Sequence, residues 1–288
     1  MTSAKKHSTP KFTSPFGNLK PADFNRLSQF IYTEFGIHLP EKKLYLVQNR
    51  LTKRLRELNM ESYTEYADYV LQGNKEEVLK MIEVISTNKT DFFREQRHFD
   101  FLSEVIPEKW KGENLKLWSA GCSSGQEVYS LAMLLENFRE RNIIGDYQVC
   151  GTDVSARVLE QAQLAVYPYK YAEDIPEPYR KKYLLKSKDQ THSKIRIAPN
   201  IRKKTCFTWM NLATGMYNFP EDFHMIFCRN TLIYFDLTVQ QKVVNGLLEH
   251  LLPGGYLFVG HSEALINMNI KGLKLISPSV YQKIEYHE

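Results

Sequence analysis

Apolar positions in the first third of the chain recur at helical spacing. In "FNRLSQFIYTEFG" Phe24, Leu27, Phe30, Ile31 and Phe35 fall on one stripe, and Gly36 offers a stop. In "EKKLYLVQNRLTKRLREL" the inward set is Leu44, Leu46, Val47, Leu51 and Leu55. "SYTEYADYVLQG" and "KEEVLKMIEVIS" continue the pattern, which predicts a small all-helical domain over residues 20–87. The tail before it, residues 1–19, is polar and rich in Ser, Thr, Pro and Lys, a composition expected to be disordered.

From Leu115 the period changes. "LKLWSAG", "YQVCGTD", "TCFTWMNL", "FHMIFCRN" and "GGYLFVGHSE" read as short apolar strands. "GQEVYSLAMLLENF", "SARVLEQAQLAVY" and "TVQQKVVNGLLEHL" read as helices between them. Alternation of this kind predicts right-handed crossovers and a mostly parallel sheet, an α/β domain over 88–288. The rhythm breaks between Tyr167 and Lys204, where Tyr, Lys and Pro accumulate and "KIRIAP" alternates. That stretch is expected to be an inserted antiparallel β-subdomain.

Composition adds only limits. No apolar run reaches the length of a membrane span, and the N-terminus lacks the apolar centre of a signal peptide. The four cysteines (Cys122, Cys150, Cys206, Cys228) form no C-x-x-C pair. They are expected to be reduced thiols of a cytoplasmic protein. With no Cys/His cluster at ligand spacing, no metal site is expected.

Charge is more informative. The chain carries a net +5, but residues 1–60 hold eleven Lys/Arg against four acids, a local +7. Six of these cations, Lys42, Lys43, Arg50, Lys53, Arg54 and Arg56, lie on one predicted helix with no acid between Lys42 and Arg56. An acidic partner follows. Nucleic acid is one candidate and an acidic protein surface another.

In an open parallel sheet, ligands sit beyond the C-terminal ends of the strands. At the first end lies "WSAGCSSGQE", whose small residues let a ligand approach the backbone and whose helix start favours an anion. Its spacing is Gly121-x-x-x-Gly125, without the middle glycine of a pyrophosphate fingerprint. Asp153 ends the second strand, where it could accept from ribose hydroxyls or cap the next helix. Together they favour a nucleoside ligand, leaving a dinucleotide and S-adenosylmethionine both open. "STNKTDFFREQRHF" by itself reads as an interdomain connection with a capped helix. "FCRNTLIYFD" ends a strand in Arg229 and Asn230 and then offers Tyr234 among Leu232, Ile233 and Phe235. His98 and His261 read as hydrogen-bonding residues rather than bases, and Glu263 of "GHSE" as structural near the site.

Five segments in order, "TNKTDFFRE", "LWSAGCSSGQEVYSLAM", "GTDVS", "FCRNTLIYFD" and "PGGYLFVGHSE", resemble the chemotaxis receptor methyltransferases of the CheR family. The resemblance runs from about Pro21 to the C-terminus. It implies a helical N-terminal domain followed by a Rossmann-like methyltransferase domain carrying a small β-subdomain. It implies S-adenosylmethionine as cofactor, S-adenosylhomocysteine as product, and glutamate side chains of chemoreceptor helices as substrate. The cofactor contacts implied are Asn88, Thr90 and Arg94, then Ala120 and Gly121 of the glycine loop, and Glu127. Asp153 would hold the ribose, Asn211 and Leu212 the adenine, and Arg229 and Asn230 the methionine end. Arg94 and Tyr234 would lie nearest the methyl group as the catalytic pair. The basic helix would then dock an acidic receptor bundle, and the β-subdomain is a candidate seat for a receptor C-terminal peptide. The chain departs from the family at Gln126, often Glu there, and at Val128, often Pro. Nucleic acid and membrane insertion are not expected.

Overall fold

The computed structural model describes residues 16–187, 193–265, 268 and 270–284. The expectation for the tail therefore lies almost entirely outside the described residues. The chain divides into two compact units, residues 1–34 with 39–86, and residues 35–38 with 87–288.

The first unit is helical: α1 (Pro21–Phe35), α2 (Leu44–Leu58), α3 (Tyr63–Leu71) and α4 (Lys75–Ile85). Ser62 caps α3 by accepting from the Glu65 amide, and Asn74 caps α4 by accepting from the Glu77 amide. α2 buries Val47, Gln48, Leu51, Arg54 and Leu55, one stripe at intervals of three and four. This corrects two expectations. Leu46 is off the stripe, since each helical residue turns the side chain by about 100°, and it is exposed along with Tyr45. Arg54 faces inward, where Nε and Nη2 donate to both carboxylate oxygens of buried Glu77 at 2.9 and 2.6 Å. The Tyr66 hydroxyl donates to the same carboxylate at 2.9 Å. Arg54 is therefore a core residue and not part of a docking face.

Gly36 ends α1 with φ +66°, and a Cβ there would lie 2.6 Å from the Ala213 Cβ. Residues 35–38 belong to the second unit, where Ile37 bridges to Phe235.

The second unit opens with α5 (Gln96–Lys109) and continues as β1 (Leu115–Ala120), α6 (Gln126–Glu140), β2 (Tyr147–Asp153) and α7 (Ala156–Leu164). After β3 (Val166–Pro168) come α8 (Glu177–Tyr183), β4 (Leu184–Lys186), β5 (Lys194–Ile197) and α9 (Pro199–Arg202). It closes with β6 (Thr205–Trp209), β7 (Phe223–Cys228), α10 (Leu237–Glu249), β8 (Leu251–Val259), β9 (Leu273–Ser277) and β10 (Val280–Lys283). The main sheet has seven strands in the order β6-β2-β1-β7-β8-β10-β9. Its first five strands are parallel and its last two antiparallel. Alternate strand residues enter separate apolar clusters: Leu117, Met225, Phe227 and Phe258 in one, Trp118, Ile226, Leu257 and Val259 in the other. Both faces are thus covered, as a parallel sheet requires. The strand order reverses between β1 and β7, which places the site.

The inserted stretch forms a second sheet, β3-β5-β4, fully antiparallel, as its alternation predicted. It is tied to the main domain where the Tyr167 hydroxyl donates to the Ser124 carbonyl at 2.7 Å.

One cysteine expectation is corrected. Cys150 and Cys206 are direct partners in the parallel register of β2 and β6 and form a disulfide, with Cα atoms 4.7 Å apart. The pair is separated by 56 residues, so no local spacing signalled it. Cys122 and Cys228 are buried free thiols.

Candidate active site

Four loops meet at the C-terminal edge of the sheet. The first follows β1. Gly121 has φ +85°, and a Cβ on it would lie 2.3 Å from Thr231 Oγ1. The glycine is needed because the loop after β7 packs directly on it. Gly125 has φ +90°, and its Cβ would meet the Ala162 Cβ at 2.8 Å, so α7 packs tightly on the start of α6. The amides of Gly121 and Cys122 both donate to the Thr152 carbonyl, at 2.8 and 2.9 Å. Ser123, itself in the left-handed region at φ +50°, turns its amide onto Asp153 Oδ2 at 2.9 Å.

Asp153 is buried and also accepts from the Ser155 amide at 3.0 Å. Burial pushes its carboxyl up, against the pull of these backbone amides. It does not cap α7; Ser155 does, by accepting from the Val158 amide. That leaves the carboxylate of Asp153 at a strand end with acceptor capacity beyond its two amides.

The second loop is the run from Thr87 to Glu95. Its attachments are specific: Ser123 Oγ donates to the Asn88 carbonyl at 2.9 Å, and the Phe93 amide donates to Ser130 Oγ at 2.9 Å. Phe93 and Glu95 hold φ +49° and +58°, conformations that non-glycine residues adopt at a cost. Arg94 is half-buried, and its Nη1 donates to the Lys89 carbonyl at 3.1 Å. Asn88 and Thr90 are also half-buried along this run.

The third loop follows β7. Arg229 is buried and lies between two carboxylates, its Nε 3.4 Å from Glu95 Oε2 and 3.4 Å from Glu127 Oε2. Its Nη2 donates to the Arg94 carbonyl. Nε and Nη1 have no hydrogen-bond partner although both are buried. A buried guanidinium with an unbonded Nη1 has a donor left for a ligand carboxylate. Glu127 stays half-buried, with Oε1 accepting from Ser119 Oγ at 2.6 Å. Asn230 adopts φ +56°, and Tyr234 closes a short 3-10 turn (Leu232–Tyr234). The Tyr234 hydroxyl donates to the Thr87 carbonyl at 3.1 Å. The fourth loop follows β6, where the Asn211 side chain accepts from the Ala213 amide at 3.1 Å and Leu212 is buried.

Of the expected site residues, Asn88, Thr90 and Arg94 lie in the run before α5, Ala120 and Asp153 end β1 and β2, Glu127 lies in the first turn of α6, and Gly121, Asn211, Leu212, Arg229, Asn230 and Tyr234 lie on the segments after β1, β6 and β7. The structure adds Glu95 and Thr231, which sequence reasoning did not place there, and gives contacts to Glu263, which the sequence marks only as structural near the site. Glu95 sits on Arg229, and its left-handed backbone has no signature in the sequence. Thr231 fills the space that Gly121 leaves. Glu263 accepts from backbone amides of the third loop, and its sequence signal is the "GHSE" that follows the last parallel strand.

Glu95, His98 and His261 offer ligand atoms within 4.8 Å of one another, an arrangement no spacing showed because it joins α5 to the end of β8. Arg229 already stands 3.4 Å from the same Glu95 oxygen, so a metal ion there would face a fixed cation. His98 is buried with neither ring nitrogen hydrogen-bonded. Burial, with Arg229 and His261 nearby, pushes it down to about 3, so it stays neutral. A neutral, enclosed imidazole at this pKa does not serve as a base at neutral pH.

In the first unit, Lys42, Lys53 and Arg56 are exposed and Lys43 and Arg50 half-buried. Arg50 Nη1 donates to the Ile85 carbonyl, and Lys53 lies 3.7 Å from Glu57. No helix of the described residues is long and apolar enough to cross a membrane.

The family model of the CheR methyltransferase all-alpha domain matches residues 22–86. The model of the CheR methyltransferase SAM binding domain matches residues 88–279. The chemotaxis protein methyltransferase of Borreliella burgdorferi is 34% identical over 275 residues, covering 92% of this chain and 95% of that protein. That of Escherichia coli is 34% identical over 247 residues, covering 85% of each. Among solved structures, the glycopeptide N-methyltransferase MtfA complexed with (S)-adenosyl-L-methionine aligns at 14% identity and a TM-score of 0.37, over 67% of this chain and 65% of that one. Likeness that low carries no argument about activity. With both of its parts matched and relatives aligned over most of their length, the chain belongs to the CheR chemotaxis methyltransferase family and uses S-adenosylmethionine as its methyl donor.

Proposed function

We propose that this enzyme methylates glutamate side chains on the cytoplasmic helices of chemoreceptors, forming the methyl esters used in chemotactic adaptation. One observation carries the reading. Tyr234 and Arg94, from loops far apart in sequence, hydrogen-bond the carbonyls of Thr87 and Lys89, two residues apart. The phenol and the guanidinium are therefore gathered at one short segment, the pair needed to orient a carboxylate. Relatives named as chemotaxis protein methyltransferases support the same substrate class.

The cofactor, when bound, supplies an electrophilic methyl group on a sulfonium. Asp153 would accept from ribose hydroxyls, Asn211 and Leu212 would border the adenine, and Ala120 and Gly121 would line the first loop, where Thr231 already fills the space beside Gly121. Asn88 and Thr90 complete the wall. Arg229 would take the methionine carboxylate with its unbonded nitrogen, Glu127 would meet the ammonium, and Asn230 would line the same end. The attacking glutamate is ionised at neutral pH and needs no base, in keeping with a neutral His98. Arg94 holds one of its oxygens by a charge-assisted hydrogen bond and leaves the other free to attack in line. Tyr234 fixes the geometry of carboxylate and methyl.

Docking is assigned to Lys42, Lys43, Arg50, Lys53 and Arg56, whose charge complements glutamate-rich receptor helices and speeds encounter. Tyr45 is exposed beside them, a single aromatic and no stacking platform for nucleic acid. β4 is an outer strand of the small sheet, where a receptor C-terminal peptide can add as a further strand. Cytoplasmic residence follows from this substrate. Mass spectrometry of receptor peptides after incubation with enzyme and cofactor tests the reading: the added methyl is expected on glutamate side chains. Methyl groups on lysine or arginine, or on none of the peptides, would refute it.

A further inference from the structure

We propose that Glu263 is a positioning residue for methyl transfer, its carboxylate clamping the turn that carries Asn230 and Tyr234. The proposal rests on the role read above for Tyr234. Glu263 Oε2 accepts from the Asn230 amide at 2.7 Å and from the Gly260 amide at 2.7 Å. Oε1 accepts from the Ile233 amide at 3.1 Å. The carboxylate thus joins the loop after β7 to the loop after β8 through three backbone donors.

The two donors on the first of these loops bracket what matters there. Asn230 is held at φ +56°, a conformation secured by the hydrogen bond its backbone N–H donates to Glu263. Ile233 immediately precedes Tyr234 in the same 3-10 turn. Glu263 is buried, so water does not substitute for its oxygens. A carboxamide at this position keeps one acceptor oxygen and turns a donor NH2 onto a backbone N–H. The neighbouring glycine serves the same clamp: a Cβ on Gly260 would lie 2.6 Å from Glu263 Oε2 and 2.9 Å from the Asn230 nitrogen. Gly260 has no left-handed φ, so glycine is there for space and not for conformation. The motif "GHSE" therefore reads as Gly260 making room and Glu263 occupying it. Glu263 makes no hydrogen bond to the Tyr234 side chain and acts through the backbone.

The test has two arms on the full-length protein. In the first, amide hydrogen exchange is compared between wild type and Glu263→Gln. Loss of protection at residues 230–234 and 260 is expected; unchanged exchange would overturn the clamp. This arm needs no substrate, so it decides the clamp even if wild type methylates no receptor, a result that would instead refute the proposed function. In the second, methyl transfer to a receptor cytoplasmic fragment is measured. Glu263→Gln is expected to lose roughly ten- to a hundredfold in kcat, with KM for the receptor little changed. In a Tyr234→Phe background the same substitution is expected to cost about threefold or less, because coupled residues are not additive. Equal losses in both backgrounds would show a structural role only and overturn the positioning role. If Glu263→Gln fails to fold, Gly260→Ala displaces the same carboxylate without changing its charge, and the same outcomes apply.

Discussion

The hydroxyl of Tyr234 donates to the backbone carbonyl of Thr87 at 3.1 Å, joining the turn after β7 to the segment that holds Arg94. The bond is solvent-accessible, so its loss costs little stability. Tyr234→Phe is expected to change unfolding free energy by less than about 1 kcal/mol, while kcat falls at least about tenfold. Urea denaturation and steady-state methyl transfer check the two halves. A stability loss as large as the activity loss would make Tyr234 a packing residue.

The Arg94 guanidinium bonds one loop carbonyl in the described hydrogen bonds, which leaves most of its donors for ligand. Arg94→Ala is expected to lose most turnover, with cofactor affinity by calorimetry falling much less. Normal turnover in this variant would remove Arg94 from the mechanism.

Asp153 carries a pH dependence that can be read directly. Burial raises its carboxyl above the usual range, so it protonates earlier on acidification than a surface aspartate. Affinity for S-adenosylmethionine is expected to weaken as pH falls toward that raised value. Asp153→Asn is expected to bind at least about tenfold more weakly at neutral pH, the scale of one charge-assisted hydrogen bond, with that pH dependence removed. Calorimetric titrations across pH test both.

His98 sets a second pH dependence, on stability. Its folded value of about 3 lies below the ordinary 6.5. The unfolded chain therefore takes up a proton that the folded one refuses. The stability this group contributes is complete above about pH 6.5 and is lost as pH falls toward 3. The slope is about 1.4 kcal/mol per pH unit at most. Asp153 and Glu263, both raised by burial, act in the opposite direction. The comparison of wild type with His98→Gln isolates the one group: the variant is expected to show the shallower acid loss in urea melts between pH 6 and 4.

The basic helix separates into two classes of cation. Arg54→Ala leaves buried Glu77 without its bidentate partner and is expected to cost about 3–5 kcal/mol. Charge reversal at Lys42, Lys43, Lys53 and Arg56 is expected to leave stability and cofactor affinity nearly unchanged. Receptor methylation should slow, with the difference shrinking at high salt. Unchanged methylation at low salt would refute the docking assignment.

How much of this was legible in the sequence follows the range of each signal. Period and punctuation are local, so the alternating strands and helices, the Gly36 stop and the inserted antiparallel sheet could be read. Strand-end polar residues could be named because the α/β topology dictates where ligands sit. Contacts between distant segments had no local trace. The Cys150–Cys206 disulfide depends on the register of β2 with β6. The approach of Glu95, His98 and Arg229 depends on α5 meeting the end of β7. Arg54 was read as an outward cation because charge alone says nothing of a buried partner such as Glu77. Gly121 was read as leaving room for a ligand, whereas Thr231 already occupies part of that room.

The central claim is tested most directly by incubating the enzyme with tritiated S-adenosylmethionine and membranes bearing chemoreceptors, then treating the labelled receptor with base. Label on the receptor that is released as methanol is expected, as a glutamate methyl ester requires. Base-stable label, or label on RNA instead of receptor, would contradict the account.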